Sequence, residues 1–446
     1  MRADVLVIGA GAAGLAAARK AAEKSLSVLV VEKGSGATIQ SSGVIDVVGY
    51  LLPDCMFTSA SQGIRTLASV YRRHPYSIIG GGWETEPEAR AQRSEKLVRE
   101  ALRDFVDAMR SVGVGVLGSL DENILVTNFV GTFKPTCFCL STIYNGNLKN
   151  LEGSSVVFVG VRGFPEYDSK FCADSFRHTT SCLRTEPKSV DHAYLDIPGL
   201  EGRSDILQVE IARRMDDPET LRRIGENLKR TVGSAEFIAL PTAGFVSPEE
   251  NIRTLEEVTG ATVFELPSFP PSVPGYRLVK GLEKASQSAG ASVRRGYKVV
   301  AANCDGTVKS VRVEVGRKTF EIEADTFVLA TGGFLGGGLR EEGDFLRESI
   351  FNLPVYSGEG ANLEETYLVR LLSHEVFPGC GHELFSSGIR VNESLQPVSD
   401  SGEPVYSNLY AAGSIISGYN YMTEKSGMGV ALTTGYLAGL NAASQV

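Results

Sequence analysis

An apolar strand that stops at glycine and restarts as a helix confines the first 32 residues to one local topology. Asp4 to Ile8 (DVLVI) has the unbroken apolar character of a buried strand. Gly9-Ala10-Gly11-Ala12-Ala13-Gly14 turns the chain, and Leu15 to Lys24, rich in Ala, Glu and Lys, predicts a helix. Leu26 to Val31 reads as a second strand and stops at Glu32. Each part has a physical task. Gly9 permits the tight turn, Gly11 lets backbone approach a pyrophosphate, and Gly14 lets helix and strand pack closely. The N–H groups of Ala10, Ala12 and Ala13 belong to a helix N-terminus, which favours anionic oxygens. Glu32, 18 residues past Gly14, can accept hydrogen bonds from ribose hydroxyls. Strand, turn, helix, strand and acid in that order point to a bound dinucleotide, against the plainer reading of an empty βαβ unit.

After Glu32 comes a loop rich in Gly and Ser, Lys33 to Gly43. It either brings backbone N–H groups and hydroxyls to a flat ring system or is plain turn chemistry. On the first reading Lys33, Ser41, Ser42 and Gly43 are cofactor-binding candidates. A net charge of −9 without a Lys/Arg-rich block argues against nucleic acid as a partner. No apolar run approaches the roughly 18 residues that span a bilayer. No charged-then-apolar leader is present, so the expected location is cytoplasmic. The seven cysteines form no C-x-x-C pair, so metal and iron–sulfur sites are not expected. Cys137 and Cys139 read as half-buried hydrophobes.

The rest of the chain predicts an α/β fold: a Rossmann-like FAD-binding domain with a β-rich excursion, split by an inserted α/β cap domain. The expected division is 1–54 for the first part, 55–270 for the insert and 271–446 for the second part. Within the insert, Thr85 to Ser111 and Ile206 to Val232 lean to helix, while Ser155 to Val161 and Phe237 to Leu240 read as strands. Beyond it, Tyr276 to Ala289 predicts a helix and Ser292 to Ala301 a strand. Lys309 to Glu314 and Thr319 to Ile322 read as a hairpin. Asp325 to Ala330 is a buried strand running into Thr331-Gly332-Gly333, either a close backbone approach to a ligand or a simple tight turn. Near the end, Leu409-Tyr410-Ala411-Ala412 delivers Gly413 and Ser414. Gly427-Met428-Gly429-Val430 then opens a small-residue helix, a second anion-stabilising N-terminus. A ligand with pyrophosphate at one end and an electron-rich ring at the other fits FAD better than NAD.

The fingerprint, Thr331-Gly332-Gly333 and the Gly388-Ile389-Arg390-Val391-Asn392…Leu409-Tyr410-Ala411-Ala412-Gly413 run resemble flavoproteins of the fumarate reductase and succinate dehydrogenase type. Five further segments resemble one family within it, the B subunit of the anaerobic glycerol-3-phosphate dehydrogenase. These are Ser41-Ser42-Gly43 with Ile45-Asp46, His74-Pro75-Tyr76-Ser77, Leu266-Pro267 with Pro270-Pro271-Ser272-Val273, Gly332 to Leu339, and Gly413-Ser414. The resemblance implies a quinone-linked complex that oxidises sn-glycerol 3-phosphate to dihydroxyacetone phosphate. An FAD-containing catalytic partner would do the oxidation. An iron–sulfur partner would tether the assembly to the inner face of the membrane, this chain touching it only through those partners. Ser414 stands where the wider group carries an acid for a ribityl hydroxyl. By the same analogy Val299 would offer backbone groups to adenine. The B subunit is usually described as holding FMN, but Glu32 is a ribose-binding acid that FMN would not need; the expectation is FAD, with FMN as the alternative.

Catalytic residues stay unassigned. His74, Arg277 and Arg390 suit alcohol oxidation chemically, and Thr423-Glu424-Lys425 precedes the last helix, yet the plainer reading of each as structural or solvated is favoured. The chain is expected to relay electrons within the complex. A stand-alone FAD enzyme of the fumarate reductase or ene-reductase type is the alternative, and a flavin-holding scaffold a weaker third.

Overall fold

The computed structural model describes residues 1–52 and 55–446. The chain forms two compact units, Met1–Thr38 with Asp46–Gly113 and Val279–Val446, and Ile39–Ile45 with Val114–Leu278.

The first unit is built on a parallel sheet. Its strands lie in the order Ser292–Arg295, Val28–Glu32, Arg2–Ile8, Lys318–Leu329, Leu409–Ala411. Every residue of Val28–Glu32 is buried, as a parallel strand covered on both faces must be. The strand Lys318–Leu329 changes partners along its length. Its first half pairs antiparallel with Thr307–Val315, which pairs in turn with Lys298–Asp305; its second half pairs parallel with Arg2–Ile8 and Leu409–Ala411. The β-rich excursion therefore grows out of the same sheet. The expected strand Ser292 to Ala301 is two strands, because Gly296 takes φ +75° between them.

Two helices cross the sheet in backbone contact. Ala12–Ala22 presents Ala13 and Ala17, and Gly427–Gln445 presents Gly435 and Gly439, both pairs at i, i+4 spacing and so on one face. A Cβ added at Gly435 would lie 2.3 Å from Ala13 O, and one at Gly439 would lie 2.3 Å from Ala17 O. Gly14 closes on Gly9 O in the same way, at 1.9 Å. Only residues without a side chain allow such approach.

The helix Pro87–Ser111 belongs to this first unit, although the expected insert runs from 55 to 270. Its buried face, including Ala101, Leu102, Phe105 and Met109, packs on Ala60–Val70 and Gly427–Gln445, and Asp104 pairs with Arg19 and with Lys20 at 2.9 Å. An amphipathic pattern marks which face is buried but not what covers it, so the expected boundary is misplaced. The other expected boundary, near 270, falls instead inside the helix Val273–Ser288. The expected boundary at residue 54 lies outside the described residues.

The second unit carries a four-stranded parallel sheet, Ser189–Leu195, Ser155–Val161, Phe237–Leu240 and Thr262–Glu265. Val157, Phe158, Phe176, Ile238 and Phe264 lie in its core. The charged stretch 206–232 is two helices, Gln208–Met215 and Pro218–Val232, because Asp217 caps the second by accepting from Thr220 N at 2.9 Å and Pro218 starts it. Among the described residues no helix is long and apolar enough to cross a membrane.

The close helix pair yields a stability prediction. Gly439→Val drives methyls into the Ala17 carbonyl and should cost about 1–3 kcal/mol, read as a lowered urea midpoint. An unchanged midpoint would mean that the two helices do not meet at backbone distance.

Candidate functional site

The first unit holds a cavity of ≈ 600 Å³ at the C-terminal ends of its parallel strands, where ligands of open α/β sheets bind. Ile8 and Gly9 through Ala13 form one wall, Val31 through Gly34 with Gly36 to Thr38 another. Tyr297 to Val300, Ala330 to Gly332 and Ala412 to Ser414 also line it.

Sequence explains the first wall. Gly9 has φ +114°, and a Cβ there would meet Ala330 O at 2.3 Å, so the turn after Ile8 requires glycine. At Gly11 the situation differs. An added Cβ would meet only Thr38 Oγ1, at 3.3 Å, so the space at Gly11 is cavity rather than protein. Thr38 braces the turn by accepting from Ala12 N–H at 3.0 Å.

Glu32 sits at the second wall, 9% exposed. Its strand pairs in parallel with Ser292–Arg295, bringing Arg295 opposite it, with Arg295 Nε 3.1 Å from Glu32 Oε1. Burial raises the Glu32 carboxyl above its usual value, and the Arg295 charge pulls it partly back. Arg295 also pairs with Glu283, so it is held from two sides. Tyr297 N–H donates to Glu32 O at 2.9 Å, which seats Tyr297 to Val300 along the cavity. Neither Arg295 nor Glu283 is legible in a linear reading, since the pairing depends on strand order.

Ser414 and Gly333 join the two remaining walls: Gly333 N–H donates to Ser414 Oγ at 3.0 Å, which leaves the Ser414 hydroxyl hydrogen free to point elsewhere. Gly413, at φ +79°, would bring a Cβ to 2.8 Å from Ala13 Cβ, and its N–H donates to Thr434 Oγ1 at 2.9 Å. Thr331 Oγ1 is buried and has no hydrogen-bond partner among the described residues. A buried hydroxyl of that kind normally finds one; it faces Gly338, where an added Cβ would meet it at 2.4 Å.

One anchor is absent from the sequence reading. Glu348, 3% exposed, accepts from Ile350 N at 2.9 Å and Phe351 N at 2.7 Å, and holds the loop whose Ser349 and Ile350 reach the cavity. Burial raises its carboxyl, and those N–H donors oppose the rise. An acid two and three residues before its own donors carries no distinctive pattern.

The structure brings Gly9, Ala10, Gly11, Ala12, Ala13, Glu32, Lys33, Val299, Thr331, Gly332, Gly413 and Ser414 to this one cavity. The other expected positions have different surroundings. Gly14 packs on Gly9. Ser41, Ser42 and Gly43 belong to the second unit, where a Cβ at Gly43 would meet Pro274 Cβ at 2.6 Å. Gly429 lies against Val47 and Tyr76, and Gly427 against Tyr421; of that last helix, Ala431 lines the cavity, not Gly427, Met428, Gly429 or Val430.

Two of the weighed catalytic residues, His74 and Arg277, are engaged elsewhere. His74, 1% exposed, caps a short helix: its Nδ1 accepts from Tyr76 N–H at 3.0 Å, which puts the ring proton on Nε2, 3.3 Å from Glu424 Oε2. In the second unit, Arg277 is paired with Glu265 and donates to Gly244 O at 3.1 Å.

Residues 4–430 match the family described as FAD binding domain. The chain is 27% identical to the B subunit of the anaerobic glycerol-3-phosphate dehydrogenase of Aliivibrio fischeri, over 98% of this chain and 94% of that protein. It is 28% identical to the probable B subunit of the same type of enzyme in Halobacterium salinarum, over 99% of this chain and 98% of that protein. Among solved structures it is similar to 3-ketosteroid delta1-dehydrogenase from Sterolibacterium denitrificans in complex with 1,4-androstadiene-3,17-dione, at 11% identity and TM-score 0.44, covering 100% of each chain.

Two expectations follow from the cavity. Gly11→Val should fold, because only Thr38 Oγ1 must shift, yet emerge colourless; normal flavin absorbance would place the phosphates elsewhere. A Glu32 carboxylate accepts from ribose more strongly when ionised, so flavin affinity should fall as pH drops through a midpoint above the ordinary 4.5. Glu32→Gln should abolish that step and lose about 1.5–3 kcal/mol, roughly ten- to hundredfold in Kd, as followed by flavin fluorescence on titrating apoprotein.

Proposed function

Because the chain belongs to the FAD binding domain family, we propose that it is the flavoprotein subunit of a membrane-associated, quinone-linked glycerol-3-phosphate dehydrogenase. FAD is its cofactor. The observation that carries the finer reading is the end-to-end correspondence with relatives that bear the B-subunit name, at 98% of this chain and 94% of the relative. In this reading an FAD-containing catalytic partner oxidises sn-glycerol 3-phosphate, and an iron–sulfur partner anchors the assembly at the inner face of the membrane. This chain stays in the cytoplasm and touches the membrane through those partners.

The residues present fit FAD rather than the shorter FMN. Gly11 leaves room at a helix N-terminus for phosphate oxygens. Glu32 and the backbone around Val299 line the end of the cavity where an adenosine would sit and which FMN would leave empty. Bound FAD supplies a ring that takes up and passes on electrons. The protein's part is to hold and orient. Gly9 to Ala13 would meet the diphosphate, Glu32 the ribose hydroxyls, and Ser414, with its oxygen engaged by Gly333, would donate toward the ribityl chain. The helix start Gly427–Val430 remains a proposed contact for the ring end. With His74 and Arg277 tied into structural bonds, no general base is assigned, which suits a protein that relays electrons while a partner handles the alcohol.

The purified chain should release FAD by mass after acid treatment and should reduce no dye with glycerol 3-phosphate alone. Adding the catalytic partner should restore turnover, and removing this chain should slow electron delivery to quinone at least tenfold. Turnover by this polypeptide on its own would replace the relay with a stand-alone FAD oxidoreductase.

A further inference from the structure

A second cavity in the first unit, ≈ 480 Å³, shares no lining residue with the flavin cavity. Three guanidinium groups line it, Arg72, Arg73 and Arg390, against the carboxylates of Glu84 and Glu393. The bases of these arginines are held by backbone. Gly388 exchanges both hydrogen bonds with Tyr356, at 2.7 and 2.9 Å, and Ile389 bridges to Ile416. Arg390, next in line, lies 4.8 Å over the Tyr356 ring, and its nearest carboxylate, Asp400, is 4.0 Å away, beyond hydrogen-bond reach. Behind the lining residues the buried Arg90 clamps the end of the helix Ala60–Val70, donating to Ala68 O at 2.7 Å and Ser69 O at 3.1 Å. The Tyr71–Arg73 segment leaves from that clamp. Gly418, at φ +97°, lets its own chain close on Arg73 O, where a Cβ would sit 2.1 Å away. Arg73 gives one N–H to Glu359 O, while Arg72 makes no hydrogen bond or ion pair among the described residues.

We infer that this cavity binds a small molecule through an oxyanion group, phosphate or carboxylate, held by Arg72 and Arg390, with its carbon part on Ile78, Val398 and Ile416. Among the lining residues three cations face two anions, and planar guanidinium forks match such oxygens in pairs. The site also adjoins the flavin site along the chain. Gly413 and Ser414 line the first cavity and Ile416 and Ser417 the second, so at most about 7 Å of backbone separates them.

The chain's single tryptophan, Trp83, lines this second cavity and stacks 4.4 Å from the Arg90 guanidinium. Its fluorescence therefore reports on the site. The FAD-loaded chain is titrated with inorganic phosphate and, separately, with acetate, ionic strength held constant with chloride. A saturable Trp83 change with either anion is expected, and the tighter one names the group. Arg72→Gln, whose side chain holds nothing else in place, should weaken binding at least threefold, and Arg72→Gln with Arg390→Gln at least tenfold, with flavin absorbance unchanged. No saturable change with either anion, or wild-type titration by Arg72→Gln, overturns the assignment. The measurement needs no partner protein and no turnover, so its failure leaves the proposed complex untouched.

Discussion

Backbone contact between the first and last helices is the constraint on which the first unit depends. Ala13 and Ala17 face Gly435 and Gly439, and no larger side chain fits between them. Close packing of this kind extracts dispersion and burial from residues that carry almost no side chain. It also has a geometric product. With the helices pressed together, Gly413 is driven against Ala13, and the turn after Leu409–Ala411 meets the turn after Arg2–Ile8. Segments some 400 residues apart in sequence become two walls of one cavity.

Around that frame, charge is placed where it must be held. Glu32 would be costly so deep in the wall without Arg295, and Arg295 is steadied by Glu283. Glu348 has no cation partner among the described residues; backbone N–H groups do the same work and in return fix a loop that reaches the cavity. In both cases a buried carboxylate shapes backbone by demanding partners. The second unit uses the same device, with Glu265 holding Arg277 and accepting from Ala243 N at 3.0 Å.

Much of this is legible residue by residue. The Gly9–Gly14 turn, Glu32, Thr331-Gly332 and Gly413-Ser414 converge as their patterns suggest, because a strand ending in glycine has few other uses. The surroundings of Gly427 to Val430 are not legible: a glycine-led helix signals close approach without naming the neighbour, and at Gly429 the neighbours are Val47 and Tyr76. The loop 33–43 divides between units at Thr38, a break that its uniform Gly/Ser composition does not mark.

The linear chain by itself determined the local pieces: the βαβ opening, the buried strands, and the small residues spaced four apart on two helices. Spacing and side-chain size act over a few residues, so they can be read without coordinates. Only tertiary structure decided that Arg295 stands opposite Glu32, that Pro87–Ser111 joins the first unit, and that Arg72 and Arg390 share a cavity. Those outcomes rest on strand order and on which buried face meets which, and both are set by the packing of the whole unit.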